Sequence, residues 1–265
     1  MKTLKLLPII VVLLCQNIYA QQTSRDKLIE ILDKYEISDK NEEKDSLWLL
    51  FTEEFEKKIQ SSQCDLEAVK NKFDTLNFRL IQSYSETNTF KSYSISRNYF
   101  DTWNYVTKTS TDNTHEVILK NDDKDESMEY NIEIHDLNPN EFLLLSRSDD
   151  MSFSYYSAYV MKYEDHYVIR TDAFKDKQDV LIVHSWTNLD ESYSVKNPAT
   201  GLYEIQGGIK SYEPIKIDFN YKTKMLSYPF YRLKDGKKMI RKAKYRNHQF
   251  NLESYDQRER DFLYY

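Results

Sequence analysis

The chain has 265 residues, with 37 Lys and Arg against 43 Asp and Glu, for a net charge of −6. It holds only 4 Gly and 5 Pro, where an average chain gives roughly 12% of its residues to these two. Collagen-like, linker-rich and low-complexity classes are thereby excluded, and little glycine is left for phosphate-cradling loops. The acidic balance argues against nucleic-acid binding, whose affinity comes chiefly from neutralising phosphates.

The N-terminus reads as a secretory signal. Lys2 and Lys5 precede an apolar run from Leu6 to Leu14, and Ala20 offers a small residue at a cleavage point. The run is shorter than the roughly 20 residues of a membrane span, and the remaining sequence contains no second long apolar segment. The expectation is a soluble protein, periplasmic or secreted, with residues 1–20 removed. A lipoprotein anchored through Cys15 is the weaker alternative, because Leu13 and Leu14 precede the cysteine where a small residue is usual. Cleavage removes two lysines and no acid, leaving 35 basic and 43 acidic side chains. Cys64 is then alone and has no disulfide partner. No Asn-x-Ser/Thr acceptor occurs, which suits bacterial export.

Residues 21–85 read as a helical segment. Thr23 with Asp26 resembles a capping box, and Leu28, Ile31, Leu32 and Tyr35 follow a helical stripe. A charged turn from Ser38 to Asp45 precedes a second helix capped by Ser46, with Leu47, Phe51, Phe55 and Ile59 on one face. Asp65 opens a third helix carrying Leu66, Val69, Phe73 and Leu76.

Residues 86–255 switch to strand alternation. Tyr130, Ile132 and Ile134 alternate with Asn131, Glu133 and His135. Further strands are expected at 142–145, 154–163, 167–171, 180–186, 215–219, 225–232, 239–245 and 250–252. Short polar turns separate them. Lys238 to Arg246 reads as the solvent face of a strand. The pattern predicts an α+β fold, with N-terminal helices packed on a mostly antiparallel β-meander sheet in one folding unit. A polar tail covers 256–265. No repeat at a fixed period supports a propeller. With 22 Tyr in the chain, tyrosine rings must help to build the core.

No nucleophile elbow or Walker loop is present. His115-Glu116 begins like a zinc-protease helix but has Leu119 where the second His belongs. The acidic cluster Asp122, Asp123, Asp125 and Glu126 fails the calcium-loop pattern in either register. No metal and no cofactor are expected, and no catalytic residue can be assigned.

The remaining candidates are Asp149 and Asp150, which lie in what reads as a polar connection, followed by Tyr155 and Tyr156; His184 and Trp186 share one strand face. Carboxylates beside aromatic rings suit a sugar, since rings stack on its apolar faces and acids accept its hydroxyls. The expected role is a non-enzymatic binding or envelope-associated protein whose ligand is an envelope or extracellular molecule, with glycans in view. The rival is a hydrolase of an extracellular polymer using Asp149 or Asp150 as acid or base.

Overall fold

A computed structural model describes residues 26–61, 64–98, 101–110, 114–121, 129–149, 153–174, 178–186, 193–196, 203–206, 216–231 and 238–252. The signal region, Asp150, the acidic cluster at 122–126 and the tail at 256–265 lie outside these residues. The fold is α+β, with three helices among the described residues and about half of the chain in antiparallel strands. It divides into a helical unit ending at Asn77 and a β unit beginning at Phe78.

Helix α1 spans Lys27–Ile37, α2 Asn41–Gln60 and α3 Glu67–Leu76. The Asp26 carboxylate caps α1 by accepting from the Leu28 N–H at 3.0 Å. Leu28, Ile31 and Leu32 are buried, as their spacing requires. Helix α2 starts five residues before Ser46, whose hydroxyl instead donates back to the Glu42 carbonyl at 2.9 Å. The acidic first turn, with Glu42 and Glu43, suits the positive end of the helix dipole. Its buried stripe runs through Trp48, not Leu47, to Phe51, Phe55 and Ile59. Trp48 stacks on Phe51 at 5.3 Å, and Phe51 meets Phe73 of α3 at 5.4 Å. Asp65 accepts from the Glu67 N–H at the start of α3. The helix stops at Asn77, which adopts the left-handed conformation with φ 55°.

The helical region thus ends earlier than its spacing suggested. Leu76 and Leu80 stand four apart and mimic a continuing stripe, yet Arg79–Tyr84 forms strand β1. The first sheet is the meander of β1, β2 (Phe90–Ser96), β3 (Thr102–Thr109) and β4 (His115–Asn121). The central sheet comprises β5 (Glu129–Asn138), β6 (Glu141–Asp149), β7 (Phe153–Glu164), β8 (Tyr167–Arg170) and β9 (Val180–Trp186). Strand β7 is 12 residues long. It pairs with β6 on one side, and on the other with β8 at one end and β9 at the other. A hairpin of β10 (Tyr193–Lys196) and β11 (Tyr203–Gln206) follows. The last sheet runs β12 (Asp218–Asn220), β13 (Met225–Tyr231), β14 (Lys238–Arg246) and β15 (Gln249–Leu252).

The central sheet packs on both faces. Leu143, Leu145, Ala158 and Val160 share a core with Leu226, Tyr228 and Phe250 of the last sheet. Phe142, Leu144 and Met161, at the alternate positions, share a second core with Phe90, Val106 and Ile118 of the first sheet. Strand β14 corrects the reading of Lys238 to Arg246 as a solvent face. Arg241 and Ala243 are buried, whereas Ile240 is exposed.

Strand β5 pairs with β6, and side chains satisfy its other edge. The Asn131 N–H donates to Ser94 Oγ at 2.8 Å, and the Ile134 N–H to Ser83 Oγ at 3.0 Å. The Asp136 N–H donates to Glu86 Oε2 at 3.0 Å, and Asn104 Nδ2 donates to the Glu129 carbonyl at 2.9 Å. These four partners come from β1, β2, β3 and the β1–β2 turn. Every buried backbone donor needs such an acceptor.

Candidate functional site

The layer between the first and central sheets is apolar at one end and polar at the other. Its polar end follows from register. Glu129, Ser148, Tyr155 and His184 are successive partners across β5, β6, β7 and β9. Asn131, Ser146, Ser157 and Ile182 form the neighbouring row. Directly paired residues project from the same face of a sheet, so both rows belong to the face that meets the first sheet.

Glu129 anchors this end. The Tyr159 hydroxyl donates to its two carboxylate oxygens at 3.0 and 3.1 Å. Burial pushes the Glu129 carboxyl above the usual range, against hydrogen bonds from Tyr159 and Ser157 and the charge of Arg170. Burial and the facing carboxylate likewise raise Tyr159. The Arg170 guanidinium lies 4.5 Å from the Tyr159 ring centre. Glu129 and Tyr155 are only half-buried at this end of the layer.

Deeper in, Ser146 Oγ donates to Asn131 Oδ1 at 3.0 Å, and Ser94 donates to Asn104 Oδ1. Among the described residues, Asn131 Nδ2 and Ser92 Oγ are buried and have no hydrogen-bond partner. A buried donor without a partner costs about 1–3 kcal/mol, and such groups are normally completed by water or a ligand. The arrangement offers hydrogen-bond donors from the Asn131 amide and the Ser92 hydroxyl, beside a carboxyl whose pKa burial raises. It suits a neutral guest rich in oxygen acceptors.

The same register separates the residues singled out from sequence. Tyr155 and His184 pair in the β7–β9 register, and Phe153 and Trp186 pair two positions further along. Tyr156 is on the opposite face, buried at 5% exposure, with the Arg147 guanidinium 5.4 Å from its ring centre. Asp149 pairs with Ser154 at the end of β6. The polar connection assumed at Ser146–Ser148 is a correction too, because β6 continues through it to Asp149. Asp150 lies outside the described residues.

Glu129, Asn131, Ser157 and Tyr159 were not singled out by sequence reasoning. A signal existed in β2, where Ser92 and Ser94 alternate with Tyr93 and Ile95 and all four are buried. Serines inside a strand that buries both faces mark a polar interior. Among the described residues no group of three or more His, Cys, Asp and Glu converges on one point. No helix among them is long and apolar enough to cross a membrane. No family model, curated protein or solved structure matches the chain. The chemistry of the site is therefore carried by its own residues.

Proposed function

We propose that this is an exported bacterial binding protein that takes a neutral, hydroxyl-rich ligand of the glycan class at the Glu129 end of the inter-sheet layer. The observation that carries the reading is the pair of buried groups, Asn131 Nδ2 and Ser92 Oγ, that have no hydrogen-bond partner among the described residues, in the layer whose end holds the half-buried Glu129 carboxyl. Tyr155 at that end supplies a ring for the apolar face of a sugar. Export follows from the N-terminal basic, apolar and small-residue pattern, with cleavage after Ala20. Intact mass of the protein recovered from the periplasm or medium checks this step, and a mass retaining residues 1–20 overturns it.

The hydrolase alternative needs two carboxyl groups facing one glycosidic bond. Calorimetric titration with neutral oligosaccharides and peptidoglycan fragments tests both. Binding weakened at least tenfold in Asn131→Leu and Glu129→Ala, with folding retained, supports the proposal. Unchanged binding in both variants sinks it, and turnover abolished by Glu129→Gln turns the reading to an enzyme.

A further inference from the structure

Three sheets meet at His135 of β5. The β1–β2 turn belongs to the first sheet, β5 to the central sheet and β12 to the last. Leu143 of β6 lies opposite His135 in the register, and the Phe219 ring of β12 is 5.0 Å from the imidazole. Only 16% of the His135 side chain is exposed. Both of its ring nitrogens face carboxylates. Nδ1 is 2.8 Å from Glu86 Oε1, and Nε2 is 3.1 Å from Glu133 Oε2. A neutral imidazole has one N–H and one lone pair. It donates to one of these oxygens and turns its lone pair on the other. An imidazolium donates to both.

Each carboxylate ties β5 to a different sheet. Glu86, in the β1–β2 turn, also accepts from the Asp136 N–H at 3.0 Å. Its neighbour Thr87 answers by donating its N–H and hydroxyl to Asp136 Oδ2, at 2.8 and 2.7 Å. Glu133 Oε1 pairs with the Lys216 ammonium at 3.0 Å, and that ammonium is 3.5 Å from Asp218 of β12. From the β12–β13 turn, Lys224 donates to the Asp136 carbonyl. Strand β6 adds Glu141, two residues from Leu143, but Tyr245 and His248 already hold its oxygens. Carboxylates outnumber ammoniums around the ring, which favours a charged imidazole. Burial opposes that charge, and Glu133 and Glu86 outweigh it, raising His135 above its usual 6.5.

We propose that protonated His135 is a clamp across the three sheets, and that loss of its proton to water detaches one of the outer sheets from β5. With one N–H left, the ring serves either Glu86 or Glu133. Without the Glu86 bond, the β1–β2 turn loosens. Without the Glu133 bond, Lys216 loses its fixed partner and the start of β12 loosens. The clamp is complete below 6.5 and weakens as pH rises through the folded-state value.

The clamp uses none of the groups proposed to bind a ligand and does not depend on that reading. Nitrogen-15 NMR of the histidine rings in the whole protein, with amide exchange followed across the same pH range, is the test. The His135 signals are assigned by their absence in His135→Gln. Both His135 nitrogens should carry protons on the acid side of a single midpoint above 6.5. Glu86→Gln and Glu133→Gln should each lower that midpoint by roughly one pH unit. Above the midpoint, amides of Thr87 and Asp136, or those of β12, should exchange about tenfold faster than base catalysis alone explains. In His135→Gln this extra pH dependence should vanish. The wild-type titration needs no variant to fold. A singly protonated ring on the acid side, or exchange that follows base catalysis alone at both the turn and β12, overturns the proposal.

Discussion

The two faces of the central sheet solve opposite problems with the same strands. Towards the last sheet, β6 and β7 present Leu143, Leu145, Ala158 and Val160, and the layer closes on aliphatic and aromatic side chains. Towards the first sheet, the same strands present Leu144 and Met161 at one end, then Ser146, Ser148 and Ser157 at the other. One face is built for packing density. The other gives up apolar burial over half its length and depends on hydrogen bonds being completed. Stability resides mainly in the first face, and the ligand proposed above would meet the second.

The largest effect should come from breaking the apolar face. Leu143 is fully buried, and Leu143→Ala should cost about 3 kcal/mol in urea unfolding. A loss below about 1 kcal/mol would mean that this face is not the main source of stability. On the polar face, Asn131→Ala removes the acceptor of Ser146 and should cost about 1–2 kcal/mol, while abolishing glycan binding. Ser92→Ala should be nearly neutral in stability, because its hydroxyl has no partner among the described residues to lose.

Acidity separates the faces further. Glu129 has a raised folded-state pKa. Above the ordinary value of 4.5, the unfolded carboxyl ionises while the folded one still holds its proton. Stability therefore falls as pH rises from that point through the folded pKa. Glu129→Gln should flatten this segment of a stability-versus-pH curve. His135 sits on the other face, its ring 5.0 Å from that of Phe219. Burial lowers its pKa, but Glu133 and Glu86 outweigh burial and raise it overall. Its contribution is complete below 6.5 and is lost as pH rises through the folded pKa. Glu86→Gln should weaken that later fall and leave the segment due to Glu129 intact. Identical curves for the two variants would show that the groups do not act separately.

Much of the architecture was legible because periodicity follows burial directly. Strand β9 has its expected limits, β7 runs one residue further at each end, and β13 stops one residue earlier. The helical stripes predicted the buried Phe51, Phe55, Val69 and Phe73. The site was less legible, because register decides which residues meet and single-strand spacing does not contain it. Tyr155 and His184 could be named but not paired. Glu129 could not be named, since its partner Tyr159 is 30 residues away. A shift of register at β5 between Asn131 and Glu133 also moved polar Asn131 inward, against its alternation.

The side-chain closure of β5 has a consequence for how molecules of this protein meet one another. An open strand edge is a template on which a second chain can extend the sheet. At β5 the donors of Asn131, Ile134 and Asp136 are already taken by Ser94, Ser83 and Glu86. Those partners are branches of other strands and not a backbone ladder, so they offer no new edge in their turn. Growth of the sheet by templated strand addition is blocked along this side. Replacing Ser83 and Ser94 by alanine would expose it, and polymerisation would then compete with folding.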